Sequence, residues 1–251
     1  EDEWRGKPVD YYVEPEYEPY AKLIFGNTPE MIQLFSDLFG VTFPWPKYSQ
    51  VVVRDFVSGA MENTTATIHM EQLQHDARAH LDETYEDSVS HELAHQWFGD
   101  LVTCESWANI AMNESFATYL EVLWREHKYG YNSMDYHRYD QLKGYLQEAA
   151  GKREPLIRFN WPSQEAVFDR HSYNKGGTIL HLLRESVGDE AFFASLQYYL
   201  KQKQWQAVES HDLRLAFEHV TGKDMNWFWN QWFFSAGHPT LKLRYTVKHN
   251  T

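Results

Sequence analysis

Residues 91 to 95 read His91-Glu92-Leu93-Ala94-His95, and Glu114 follows nineteen positions after His95. On a helix, residues four apart share a face, so His91 and His95 can grip one metal ion together. Glu92 lies about 100° round the same helix. That is too far for a third ligand but close enough to take a proton from a water on the metal. Two imidazoles and a later carboxylate are a ligand set of catalytic zinc, with the fourth position left for water. Metal-assisted hydrolysis is therefore the leading reading of the chain.

Two helices must carry these groups. Apolar Leu93, Ala94, Trp97 and Phe98 give the segment 82–98 a packed side, and Gly99-Asp100 supplies a stop signal. A second helical pattern, from 107 to about 126, holds Asn113-Glu114 and can return alongside the first. Upstream, Thr28-Pro29 reads as a cap followed by proline at the first helical position. Met31, Leu34, Phe35, Leu38 and Phe39 form that helix's buried stripe, and Gly40 ends it. Residues 51–53 and 65–70 read as strands, and residues 1–20, acidic and rich in Tyr and Pro, as an irregular lead-in. After Asp100 nearly everything to Ser235 has a helical period, with breaks at Gly130, Gly151, Gly188 and Gly222 and between Pro155 and Pro162. The expected fold is α+β: a mixed sheet-and-helix lobe over 1–100, a helical lobe over 101–236, and the site between them. Leu241, Leu243, Tyr245 and Val247 alternate with polar residues as a half-buried strand does, so 237–251 is expected to begin a further β-domain.

At 251 residues the chain can bury a large core. Its net charge of −13 argues against a nucleic-acid partner and suits a cationic ligand. The single cysteine, Cys104, excludes a disulfide-stapled scaffold and reads as a small buried hydrophobe. No apolar run is long enough to span a bilayer. The chain starts at Glu1 without Met, which leaves room for an upstream segment.

Further stretches invite chemistry. Gly59-Ala60-Met61-Glu62-Asn63 follows a strand, and its two small residues let a backbone approach a ligand beside Glu62. Tyr173, at the opening of a helix that runs on through Leu180 and Leu183, can donate its hydroxyl to an oxyanion. Met225, Phe228, Trp229 and Trp232 fall at helical spacing and read as a core helix rather than a membrane anchor. His69, His75, His80, His127, His211, His219 and His238 lack ligand spacing and read as surface residues.

Together these pieces resemble the aminopeptidase N family of zinc metallopeptidases. The matching stretches are Gly59 to Asn63, the His91–His95 helix with Glu114, Asn113-Glu114-x-Phe116-Ala117, and Phe168-Asp169-x-x-x-Tyr173-x-Lys175-Gly176. The resemblance covers roughly residues 20 to 240 and implies a thermolysin-like catalytic domain. It implies one zinc held by His91, His95 and Glu114, with Glu92 as general base and Tyr173 stabilising the tetrahedral intermediate. It also implies that Gly59 and Ala60 pair with the substrate main chain, that Met61 and Asn63 belong to the same substrate-binding stretch, and that Glu62, helped by Glu114, holds the substrate's free α-amino group. Peptides with a free N-terminus are the implied substrates, and flanking domains of a longer parent the implied partners. Two positions depart from the family's usual pattern: Asp100 stands for Asn and Ser115 for Gly. The alternatives are a thermolysin-like endopeptidase, an epoxide hydrolase of the leukotriene A branch, against which Ala60 speaks, and an inactive metal-bearing binding module, which would require a lost catalytic position.

Overall fold

The first surprise is at the start of the chain. In the computed structural model, which describes residues 1–247, the expected irregular lead-in forms β1 (Asp2–Trp4) and β2 (Lys7–Tyr12), paired antiparallel with Asp2 opposite Val9. Arg5 and Gly6 make the turn, at φ 49° and 79°, a two-residue geometry whose twist suits a hairpin. Arg is an uncommon residue at such a position, so the turn carried no clear signal. Next come β3 (Tyr48–Val53), β4 (Ala60–Met61) and β5 (Ala66–Met70). The sheet order is β1-β2-β3-β5-β4, with β3 parallel to β2 and β5. β4 is an edge strand, antiparallel to β5 with Ala60 opposite His69.

α1 (Ala21–Phe25) and α2 (Thr28–Phe39) pack against β2 and β1. Thr28 is the first helical residue rather than the cap. Its hydroxyl donates to the Phe25 carbonyl at 2.6 Å and accepts from Gln50 at 2.8 Å, tying the helices to β3. The surface positions expected for His69 and His75 are wrong. β5 turns Thr67 and His69 inward, where Tyr48 and Gln50 meet their polar atoms at 2.8 and 3.2 Å. His75 is buried with Nδ1 2.8 Å from the Leu73 carbonyl. His80 is half-buried, while His127, His211, His219 and His238 are exposed.

The remaining helices are α3 (Glu86–Ala94), α4 (Ala111–Tyr129), α5 (Tyr131–Ala149), α6 (Gly176–Val187), α7 (Asp189–Lys203), α8 (Ser210–Thr221) and α9 (Asn226–Phe228). Two of them border wider π-helical turns, His171–Lys175 before α6 and Trp229–Phe233 after α9. The short parallel pair β6 (Val102–Cys104) and β7 (Gln206–Val208) was not expected, because three residues are too few to show a period. The alternating tail takes no strand. Residues 241–247 lie in no regular element, and Leu241, Leu243, Tyr245 and Val247 are exposed, with no partner strand among the described residues. Residues 248–251 of the expected β-domain lie outside the described part.

One contiguous apolar core runs from Trp4 to Phe233 and joins sheet and helices. It fixes α3 against α4. Phe98, just beyond α3, stacks on Phe116 of α4 with centroids 4.1 Å apart and planes at 1°. Burying two such rings is worth roughly 3–6 kcal/mol. At the other end, buried Glu86 accepts from Trp124 at 2.9 Å and Tyr129 at 2.8 Å, and Arg125 grips Asp87 at 2.7 and 2.5 Å. The two helices are thus clamped at both ends, and the faces between them hold still.

Candidate metal centre and active-site cleft

α3 is shorter than the 82–98 helix its pattern suggests. Tyr85, at φ 56°, delays its start, and after His95 the chain turns towards Gly99. Gly99 takes φ 149°, and a Cβ there would lie 3.2 Å from His95 Nδ1, so glycine lets the turn close on the imidazole. Both histidines nonetheless remain on one face, with ring centroids 4.9 Å apart.

Glu114, in the first turn of α4, meets them. Its Oε2 lies 3.2 Å from His91 Nε2 and 3.4 Å from His95 Nε2. Ligand atoms about 2.0–2.1 Å from a tetrahedral zinc stand about 3.3 Å apart, so the two distances from Glu114 match edges of that tetrahedron, and all three atoms lie within 4.8 Å of one another. The other ring nitrogens are engaged. His91 Nδ1 lies 2.7 Å from Glu121 Oε1 and His95 Nδ1 2.9 Å from the Phe98 carbonyl. Donation from Nδ1 leaves each Nε2 lone pair free for a metal. The donor set and its spacing fit zinc.

The electrostatics suit a cation. Burial alone would lower both imidazoles, but Glu114 and Glu121 raise His91 well above its ordinary value, and Glu114 with Glu62 raises His95 to about 9. Burial pulls the Glu114 carboxyl up, yet the two imidazoles hold it far below the usual range. Glu92 differs from Glu114. Burial pushes its carboxyl up to about 7, and its Oε2 has no hydrogen-bond partner. A buried carboxylate with a free oxygen at that value is poised to exchange a proton near neutrality.

Tyr173 sits in the π-helical turn before α6 and stacks on His91, centroids 5.8 Å apart at 15°. Burial, then the Glu114 carboxylate, raises its hydroxyl far above the ordinary value and keeps it a donor. On the opposite side, Glu62 Oε1 comes within 3.9 Å of His95 Nδ1. Gln96 holds the backbone that follows it, its Nε2 donating to the Glu62 carbonyl at 3.1 Å and its Oε1 accepting from Thr65 N at 2.9 Å.

A cleft of about 950 Å³ brings Gly59, Ala60, Met61, Glu62, His91, Glu92, His95, Glu114 and Tyr173 together. Asn63 is not among its lining residues. It is exposed, and its carbonyl accepts from Ala66 N at 2.8 Å to close a turn. Cys104, expected as core, is half-buried and lines the cleft, its thiol pushed up to about 11 by burial and Glu114. Apolar Val57, Trp107, Ile110 and Phe168 also line it, and of these only Phe168 fell within a motif. Glu121 was missed as well, although its place seven residues after Glu114 on one helix face was a usable signal.

Residues 24–232 match the peptidase family M1 domain. The chain belongs to that family. Aminopeptidase N of Streptomyces lividans is 31% identical over 246 residues, an alignment covering 94% of this chain and 29% of that protein. Glutamyl aminopeptidase of Sus scrofa is 29% identical over 252 residues, covering 95% of this chain and 26% of the relative. The chain therefore spans less than a third of these relatives' length. Among solved structures, a mutant M1 zinc metallopeptidase of Deinococcus radiodurans bound to a Tyr-Ser-Ala substrate superposes with a TM-score of 0.71 at 28% identity, over 86% of this chain and 46% of that one. The expected α+β, thermolysin-like architecture is the one observed.

The two departures from the M1 pattern have distinct surroundings. Asp100 lies near Glu62, and burial together with that charge pushes its carboxyl up to about 7. Ser115 donates to the Ser172 carbonyl at 2.7 Å.

Proposed function

We propose that this chain is the catalytic domain of a zinc aminopeptidase that removes single N-terminal residues from peptides. The observation that carries the reading is the presence of Glu62 in the same cleft as the His91, His95 and Glu114 cluster, 3.9 Å from the ring of His95. Zinc, when bound, lowers the pKa of a water and polarises a carbonyl. The chain's residues supply the rest. Glu92 takes the water's proton and passes it to the leaving amine. The Tyr173 hydroxyl donates to the oxyanion that develops on the carbonyl. The outer edge of the sheet at Gly59 and Ala60, where β4 has no second neighbour among the described residues, offers main-chain groups to an extended substrate.

Glu62 gives the exopeptidase preference. It pairs with an ammonium that exists only at a peptide's N-terminus, and a neutral internal amide there would leave a desolvated carboxylate unpaired. No catalytic position is lost, which separates this reading from an inactive binding module. Endopeptidase activity is the competing reading, and N-terminal acetylation discriminates. The account expects acetylated peptides to be cut at least about a hundredfold more slowly than free ones, and Glu62→Ala to erase most of that preference. Equal cleavage of both substrates by the unaltered enzyme would establish the endopeptidase instead.

A further inference from the structure

Tyr173 lies in a widened turn. The segment His171–Lys175 is π-helical, with Lys175 N donating to the Arg170 carbonyl at 2.9 Å, a rare geometry that recurs at functional sites. On one side the holding group is Asp169. Its Oδ1 accepts from the His171 and Ser172 amides at 3.1 and 3.0 Å, while Arg158 grips the same carboxylate at 2.7 and 2.6 Å. On the other side stands Ser115.

Ser115 is 2% exposed and follows the metal-cluster residue Glu114 directly on α4. Its Oγ donates at 2.7 Å to the carbonyl of Ser172, the residue bonded to Tyr173. Gly176 closes the slot from above. A Cβ at Gly176 would lie 1.7 Å from Ser115 Oγ and 2.4 Å from Ser115 Cβ, so the start of α6 rests flush on this side chain. One helix therefore sets both the carboxylate of Glu114 and, one residue later, the height of the turn that carries the phenol.

We infer that Ser115 is a positioning residue for the Tyr173 hydroxyl, acting through the Ser172 carbonyl. The inference rests on the role given to Tyr173 above. Oxyanion donors act only within about 2.7–3.1 Å of their target, and a displacement of about 1 Å can cost about a hundredfold in rate. Without the Ser115 hydroxyl, the Ser172 carbonyl loses this donor, and the backbone of the turn loses its hydrogen bond to α4.

A double-mutant cycle on the zinc-loaded full-length protein tests this, with Ser115→Ala and Tyr173→Phe and an amino-acid amide as substrate. Ser115→Ala should lower kcat about tenfold while KM and zinc affinity stay within about twofold. Tyr173→Phe should lower kcat about a hundredfold. In the Tyr173→Phe background, Ser115→Ala should cost less than about twofold, because its target is gone. Equal losses in both backgrounds, no loss at all, or a loss confined to KM or zinc affinity would overturn the positioning role and leave the Tyr173 assignment standing. A fully active Tyr173→Phe enzyme would instead remove the Tyr173 assignment and this inference with it. Should Ser115→Ala fold poorly, Ser115→Gly, which keeps the close approach of Gly176, makes the same measurement.

Discussion

Two clusters of imidazole and carboxylate flank the Tyr173 turn, and they teach opposite things. His91, His95 and Glu114 bring ligand atoms within 4.8 Å of one another, and so do Glu148, Asp169 and His171. By residue type both could hold a metal. In the second cluster the charges are already met, because Lys152 and Arg158 both bind Asp169, and His171 Nδ1 lies 2.6 Å from Glu148. In the first, no Lys or Arg pairs with Glu114 among the described residues, and both Nε2 atoms face one carboxylate oxygen. A metal site is a carboxylate–imidazole cluster left without its own cation. The second cluster is a brace, and its cations do the work that zinc would do in the first.

Substitution should break this contrast most visibly at the ligands. His95→Ala should abolish turnover and bound zinc, whereas His171→Ala should keep one zinc per chain by elemental analysis. Zinc retained by the first variant and lost by the second would invert the assignment. Next in size is the brace itself. Asp169→Asn leaves Arg158, 6% exposed, without its partner, and should cost about 3–5 kcal/mol in denaturant unfolding. A loss under 1 kcal/mol would show that the pair is not structurally needed.

Glu121 sharpens the first half of the comparison. It accepts from His91 and also meets His137 at 2.9 Å and Gln141 at 3.1 Å. Glu121→Gln should weaken zinc about 10- to 100-fold in chelator competition, and unchanged affinity would deny it any hold on the ligand ring. The smallest effect lies away from both clusters. Burial drives His69 down to about 3. The unfolded chain takes up this proton near pH 6.5 while the folded one does not, so the contribution is intact above pH 6.5 and is lost as pH falls towards 3. Unfolding free energy should drop about 2 kcal/mol more between pH 8 and 5 than in a His69→Phe variant. Parallel pH profiles for the two proteins would contradict that.

The proposed ligand triad could be read from local periodicity, four residues on one helix and a carboxylate early in the next. Tyr173 and Glu62 stood out locally only as weak candidates, and their proposed roles came with the resemblance, since neither turn nor edge strand announces which way a side chain points. Other parts were hidden for definite reasons. β1 and β2 were hidden by a turn built on Arg5. His69 read as exposed because its polar partner, Gln50, lies on the neighbouring strand β3. Gln96 and the Arg158–Asp169 brace act over 31 and 11 residues, beyond the reach of any spacing rule.

Anomalous scattering at the zinc edge, from crystals of the zinc-loaded protein, bears most directly on the central claim. The account predicts one strong peak about 2.0–2.2 Å from His91 Nε2, His95 Nε2 and a Glu114 oxygen, and none at Glu148, Asp169 and His171. A crystal that binds zinc only at the second cluster, or shows the first three side chains without density between them, would contradict it.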